Sequence, residues 1–257
     1  MKVLKFGGSS VANSENIQKV LAIVKQESKN DKVAVVVSAF GKTTDQLISA
    51  GNKALKNIAD AKETLETIKE LHDQIITDLI TTHKKEVSSE VADLFKKLVS
   101  IYEGLYLLQE LSDKTLAKIS SFGERLSSLI IANAAKELFD ATHEESRKLI
   151  TTNNDYLNAQ VNFKITDVNI TSFFDKNKHQ VVFLGGFISS NSNHETTTLG
   201  RGGSDYSASI YAAALGAKEL QIWTDVSGMF TANPRVVKQA SPISEISYEE
   251  AMELSHF

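Results

Sequence analysis

The chain has 257 residues, a formal charge of −4 and no cysteine. That length accommodates one α/β domain or two smaller lobes, and the acidic balance with scattered lysines argues against nucleic acid or an anionic membrane as main partner, since both need a concentrated basic surface. Without cysteine there are no disulfides or thiolate metal sites, which fits a reducing cytoplasm; no apolar run approaches the roughly 20 residues of a membrane span. Met1-Lys2 leads into a first strand with no signal-type apolar region, and the six histidines are too dispersed for a linear ligand motif, so no protein-held metal is expected.

The first strand places Val3, Leu4 and Phe6 before Gly7-Gly8, then Ser9 and Ser10, then a helical pattern. Paired glycines permit close approach of backbone to a ligand and positive φ, free N–H groups and hydroxyls can donate to an anion, and Lys5 adds a mobile cation. Taken alone, the stretch serves equally well as an inert loop. Ser14 is the expected N-cap of a helix carrying Ile17, Val20, Leu21 and Val24 to about Ser28. Val33 to Val37 has the unbroken apolar character of a strand covered on both faces, so the start is a βαβ unit. The following loop, through Ser38 and Gly41 to Thr44 and Asp45, should share a sheet edge with Gly7-Gly8, at the carboxyl ends of parallel strands where ligands bind.

Residues 61 to 111 are helical in pattern, with Lys84 to Ser89 as the expected break, and suit packing rather than chemistry. A further helix carries Gly123-Glu124-Arg125 ahead of Leu129, Ile130 and Ile131, which puts Glu124 at the buried edge of a cleft. From Asp140 to Lys178 the signals are weak, with a strand expected near Lys148 to Ile150. Gln180 to Leu184 is a strand running into Gly185-Gly186, and Phe187 to Thr198 suits a hairpin. Gly200-Arg201-Gly202-Gly203-Ser204-Asp205 precedes an alanine-rich helix, with Ser204 as the expected cap of an anion-binding N-terminus. The pattern is not a P-loop, since Ser-Asp follows the last glycine, nor the dinucleotide fingerprint, since Asp205 stands at the third glycine. Leu220 to Thr224 forms the next strand, followed by a loop to Pro234-Arg235 and a last helix near Ser247. Three of the four arginines, Arg125, Arg201 and Arg235, sit beside glycine or proline, placed to grip a carboxylate or phosphate.

Lys-Phe-Gly-Gly-Ser-Ser-Val-Ala, Gly-Glu-Arg-Leu-Ser, Thr-Thr-Leu-Gly-Arg-Gly-Gly-Ser-Asp-Tyr and Trp-Thr-Asp-Val with Pro-Arg downstream together resemble the aspartokinases of the amino-acid kinase superfamily, in that family's order. The opening motif and Ala-Met-Glu-Leu-Ser near the end are most similar to the kinase part of bifunctional aspartokinase/homoserine dehydrogenases. The resemblance implies an α/β three-layer sandwich with an open, mainly parallel sheet, an aspartate-binding lobe over 1–178 with a helical insert at 61–120, and a nucleotide-binding lobe over 179–257. It implies ATP-dependent phosphorylation of the β-carboxylate of L-aspartate, the first step of aspartate-family amino-acid biosynthesis, in a cytoplasmic homo-oligomer with Mg²⁺ held mainly by ATP phosphates. Lys5 and Asp205 are then catalytic; Ser38, Thr44, Glu124, Arg201 and Ser204 bind aspartate; Gly7, Gly8, Ser9, Thr224, Asp225, Phe230 and Arg235 bind the nucleotide. Another acyl-phosphate amino-acid kinase, or a binding domain without turnover, are the competing readings.

Three departures accompany the resemblance. Phe230 stands where tyrosine is common, and Asn233 replaces an aspartate before Pro-Arg. Past His256-Phe257 the family continues with an ATP-site lysine and regulatory ACT domains. The expectation is a shortened chain that turns over ATP poorly and ignores lysine and threonine as inhibitors.

Overall fold

A computed structural model describes residues 1–224, 226, 228–234 and 236–255. The chain divides into two compact units, Met1–Trp223 and Thr224–Phe257. In chain order the first comprises β1 (Lys2–Phe6), α1 (Ser14–Glu27), β2 (Val33–Val37), α2 (Thr43–Ala54), α3 (Ile58–Leu79), α4 (Lys84–Leu108), α5 (Asp113–Ser120) and α6 (Phe122–Lys136). It continues with β3 (Ala141–Glu144), β4 (Thr151–Thr152), α7 (Phe163–Lys176), β5 (Val181–Gly185), β6 (Ile188–Asn191), β7 (Thr196–Thr198), α8 (Gly203–Ala214) and β8 (Glu219–Trp223).

The main sheet has the order β3-β5-β2-β1-β8, and every neighbouring pair is parallel. Side chains alternate across it, and each face has its own core. Leu4, Phe6, Val33, Val35, Val37, Val181 and Phe183 face the core built with α1 to α6, whereas Val3, Ala34, Val36, Val182 and Leu184 face the one built with Ile170 and Phe174 of α7 and Ala208, Ile210 and Tyr211 of α8. The register aligns these sets: Leu4 lies beside Val35, and Val35 beside Phe183. This is the expected three-layer αβα arrangement. It explains why all five residues of β2 are apolar and buried, since burying each such side chain contributes about 1.5–3 kcal/mol and neither face is left to water.

A second sheet, β4-β6-β7, contains the expected hairpin, with β6 and β7 antiparallel and Ser189 opposite Thr197. Lys148 to Ile150 is not a strand: residues Ser146–Lys148 form a 3-10 turn, Leu149 and Ile150 are buried, and pairing begins at Thr151. Lys84 to Ser89 is not the break between the long helices but the first turns of α4, where Val87 already faces the core at four-residue spacing from Val91. The interruption lies at Ile80–His83, where the Glu137 carboxylate accepts from the N–H and hydroxyl of both Thr81 and Thr82. Those hydrogen bonds hold Glu137 down to about 2. Asn13, not Ser14, caps α1, accepting from the Asn16 N–H at 2.9 Å.

In the second unit Phe230 pairs antiparallel with Pro242. Helix α9 (Tyr248–Ser255) starts with a capping box: Glu250 N–H donates to Ser247 Oγ at 3.2 Å and Ser247 N–H to Glu250 Oε2 at 2.9 Å. Among the described residues, no helix is long and apolar enough to cross a membrane.

Candidate active site

Alternation along β1 places Lys5 on the same face as Val3, toward α8. Its ammonium meets Asp205 Oδ1 at 2.7 Å, in the first turn of α8. Lys5 is only 8% exposed, and Asp205 offsets the desolvation of its charge. A Cβ on Gly7 would lie 3.6 Å from Lys5 Nζ, so the ammonium rests against the glycine turn. Gly8 does not use positive φ, having φ −58°. Its role is close approach: a Cβ there would lie 2.9 Å from the Gly41 carbonyl oxygen and 3.1 Å from that of Ala39, while the Gly41 N–H donates to Gly8 O at 3.1 Å. The loops after β1 and β2 are thereby fastened together.

The opposite wall comes from the start of α6. Glu124 is 5% exposed and has no ion pair among the described residues. Burial pushes its carboxyl up to about 8, against the pull of the Ala39 N–H, its own N–H and the Thr44 hydroxyl. The Ala39 N–H donates to Oε1 at 3.3 Å, whereas Glu124 Oε2 and Thr44 Oγ1 are buried without an aligned hydrogen-bond partner. Gly123 sets this spacing, since a Cβ there would fall 2.6 Å from Thr44 Oγ1 and 2.7 Å from Ala39 Cβ.

Between these walls is a cleft of about 280 Å³ lined by Lys5, Ser38, Thr44, Glu124, Ser204 and Asp205, together with Phe187, Gly200, Gly202 and Gly203. Six of the seven catalytic and aspartate-binding residues expected from the sequence therefore line one cavity. The seventh, Arg201, is exposed, outside that lining, and without an ion pair among the described residues. Ser204 is not a cap: α8 starts at Gly203, its N-cap is Gly202 at φ 72°, and no side chain caps it. Gly202 supplies the left-handed turn that a capping side chain would otherwise stabilise.

Gly7, Gly8 and Ser9 adjoin Lys5 without lining the cleft. Thr224 and Phe230 belong to the second unit; Asp225 and Arg235 lie outside the described residues. Phe187 is the lining residue that the sequence pattern does not single out. It sits at φ 65°, its N–H donates to Ser207 Oγ at 2.8 Å, and a Cβ on Gly203 would lie 2.8 Å from its ring. The available signal is positional, since Phe187 follows a strand and a glycine pair at the same sheet edge as Gly7-Gly8.

A parallel sheet whose carboxyl edge carries a buried lysine, an uncapped helix N-terminus and close-packed glycine turns defines an α/β domain built to handle anionic groups. The family model described as Amino acid kinase family matches residues 1–257, and the chain belongs to that family. It is 35% identical over 263 residues to a bifunctional aspartokinase/homoserine dehydrogenase of Buchnera aphidicola, covering 100% of this chain and 32% of that protein. It is 34% identical to an aspartokinase of Chlamydia pneumoniae, covering 99% of this chain and 54% of that protein. The crystal structure of E. coli aspartokinase III in complex with aspartate and ADP superposes with a TM-score of 0.91 at 31% identity, over 100% of this chain and 56% of that one. The chain thus spans from just under a third to somewhat over half of the length of these relatives.

Proposed function

We propose that this chain is an aspartate kinase catalytic domain, transferring the γ-phosphoryl group of ATP to the β-carboxylate of L-aspartate to give 4-phospho-L-aspartate. The observation that carries the reading is the content of one cleft: a Lys5–Asp205 pair at 2.7 Å shares it with Glu124, a buried carboxyl without an ion pair among the described residues. The names of the relatives point the same way.

An amino acid presents an ammonium and carboxylates. Glu124 takes the ammonium, Arg201 swings in to grip the α-carboxylate with its planar fork, and Ser38, Thr44 and Ser204 supply the remaining polar contacts. A β-carboxylate oxygen then attacks the γ-phosphorus in line. The new bond forms as the bond to ADP breaks, and the negative charge passes to the β-phosphate oxygen. Lys5 stabilises charge on the group in transit, Asp205 holds Lys5 in place, and the turn through Gly7, Gly8 and Ser9 offers backbone donors. The nucleotide is assigned to Thr224, Asp225, Phe230 and Arg235 on the resemblance alone.

The carboxylates of the cleft are Asp205, already paired, and Glu124, buried. This donor set fits Mg²⁺ carried mainly by ATP phosphate oxygens, where it would neutralise phosphate charge. The test is ADP release across aspartate and glutamate with hydroxylamine present to trap acyl phosphate. Aspartate-dependent hydroxamate is expected. ADP release with glutamate alone, or binding of aspartate and Mg-ATP without turnover, would replace this reading with a different kinase or a binding domain.

A further inference from the structure

One residue beyond Glu124 the chain turns to a different cavity. Arg125 lines a hollow of about 610 Å³ between α4, α5 and α6, together with Lys96, Lys97, Lys118, Arg147 and one carboxylate, Asp93. On a chain with formal charge −4 this is a marked local reversal. Its deepest cations are the two arginines, whose side chains are 12% and 23% exposed. Both depend on a single carboxylate: Glu145 Oε2 lies 2.6 Å from Arg147 Nη2 and 3.3 Å from Arg125 Nε. The second contact is an ion pair without hydrogen-bond alignment, and the Nε of each arginine is buried with no hydrogen-bond acceptor among the described residues. Arg147 Nη1 donates to Thr196 Oγ1 at 2.9 Å, and the Arg125 guanidinium carbon sits 4.4 Å above the Phe122 ring, so both forks are held in place.

At the rim Lys96 pairs with Asp93 at 2.9 Å, but Lys97 and Lys118 have no ion pair among the described residues. Five cations thus face two carboxylates. Burial, with the charge of Arg147, pushes the Arg125 guanidinium down to about 10 against the pull of Glu145. An ordinary solvated lysine face has no such floor of fixed, part-buried guanidinium groups.

We propose that this hollow binds a small polyvalent oxyanion, a phosphate ester or a polycarboxylate, with Arg125 and Arg147 gripping it at the floor and Lys97 and Lys118 closing over it. Planar forks suit the paired oxygens of either group, and the excess of positive charge suits a ligand of two or more negative charges. The inference does not rest on the kinase reading, because no residue of this hollow lines the catalytic cleft.

The test is calorimetric titration of the chain with inorganic pyrophosphate, and separately with citrate, in magnesium-free buffer at low salt. Saturable binding of one equivalent is expected. Replacing both rim lysines (K97A with K118A), which are exposed and outside the core, should weaken binding about tenfold or more, as loss of two charge-assisted contacts implies. Lys5→Ala should change it less than about twofold, within the scatter of context effects at distant sites. Pyrophosphate alone binding would assign the site to phosphate esters, and both binding would support the wider class. Loss of binding in Lys5→Ala with full retention in the double lysine variant would place the anion in the catalytic cleft and overturn the proposal. So would the absence of saturable binding by either probe.

Discussion

The two walls of the cleft carry the same functional group in opposite conditions. Asp205, its side chain 53% exposed, is answered by Lys5 at 2.7 Å. Glu124 is buried, has no ion pair among the described residues, and keeps its proton up to about 8. The difference shows how one cleft can prepare for two events. The β1–α8 wall has its ion pair made, whereas the β2–α6 wall holds a carboxyl without one; under the proposed function the first stabilises negative charge and the second receives the substrate's ammonium. A ligand with carboxylates only would satisfy the first wall and leave the second unpaired.

The largest expected effect comes from breaking the prepared wall. Lys5→Ala should lower kcat by about 10²–10³, the loss typical of one preorganised donor, with little change in the KM for aspartate. A kcat within a few-fold of the unsubstituted enzyme would remove Lys5 from the chemistry. Glu124→Gln addresses the other wall, since it keeps the shape and discards the charge. The KM for aspartate should rise about 10- to 100-fold, as for a lost charge-assisted hydrogen bond, and steady-state kinetics showing no rise would mean that Glu124 does not bind the ammonium. Arg201→Lys should weaken aspartate about tenfold while leaving the KM for ATP alone, because lysine keeps the charge and loses the fork. Equal losses for both substrates would place Arg201 between them.

A further expected effect, of about the same size as that of Arg201→Lys, needs no substitution. A carboxyl held up to about 8 is neutral at pH 7, and pairing with an ammonium requires that it lose its proton. Aspartate affinity should therefore rise with pH and level off above about 8, with the KM at pH 7 about tenfold above its limit. A KM for aspartate that is flat from pH 6.5 to 9 would contradict the uncompensated state of Glu124.

Much of this arrangement is legible in the residues, because the strands that position the cleft are unbroken apolar runs ending in glycine or serine. The missing parts have local reasons. Helix α7 hides because Phe163, Ile165 and Val168 are exposed while Thr166, Ile170 and Phe174 alone mark the buried stripe, so the apolar pattern carries two faces at once. The break before α4 depends on Glu137, some 55 residues further along, and no local pattern announces so distant a cap. The Gly8 case is subtler. Its glycine is required, but by the carbonyl oxygens of Ala39 and Gly41 in another loop rather than by backbone handedness, and only the folded arrangement separates the two reasons. The six cleft residues were accessible because each stands beside a strand end or a helix start, whereas the exposed position of Arg201 depends on side-chain placement that spacing does not encode.

Calorimetry of aspartate binding at pH 7, repeated in buffers of different ionisation enthalpy, tests the division of labour between the two walls most directly. The Glu124 carboxyl, neutral beforehand at its value of about 8, must give up its proton to accept the ammonium. Close to one proton, about 0.9, should be released per aspartate bound, and Glu124→Gln should abolish that release. Aspartate binding with no proton exchange in the unsubstituted protein would show that the buried carboxylate does not receive the substrate's ammonium group.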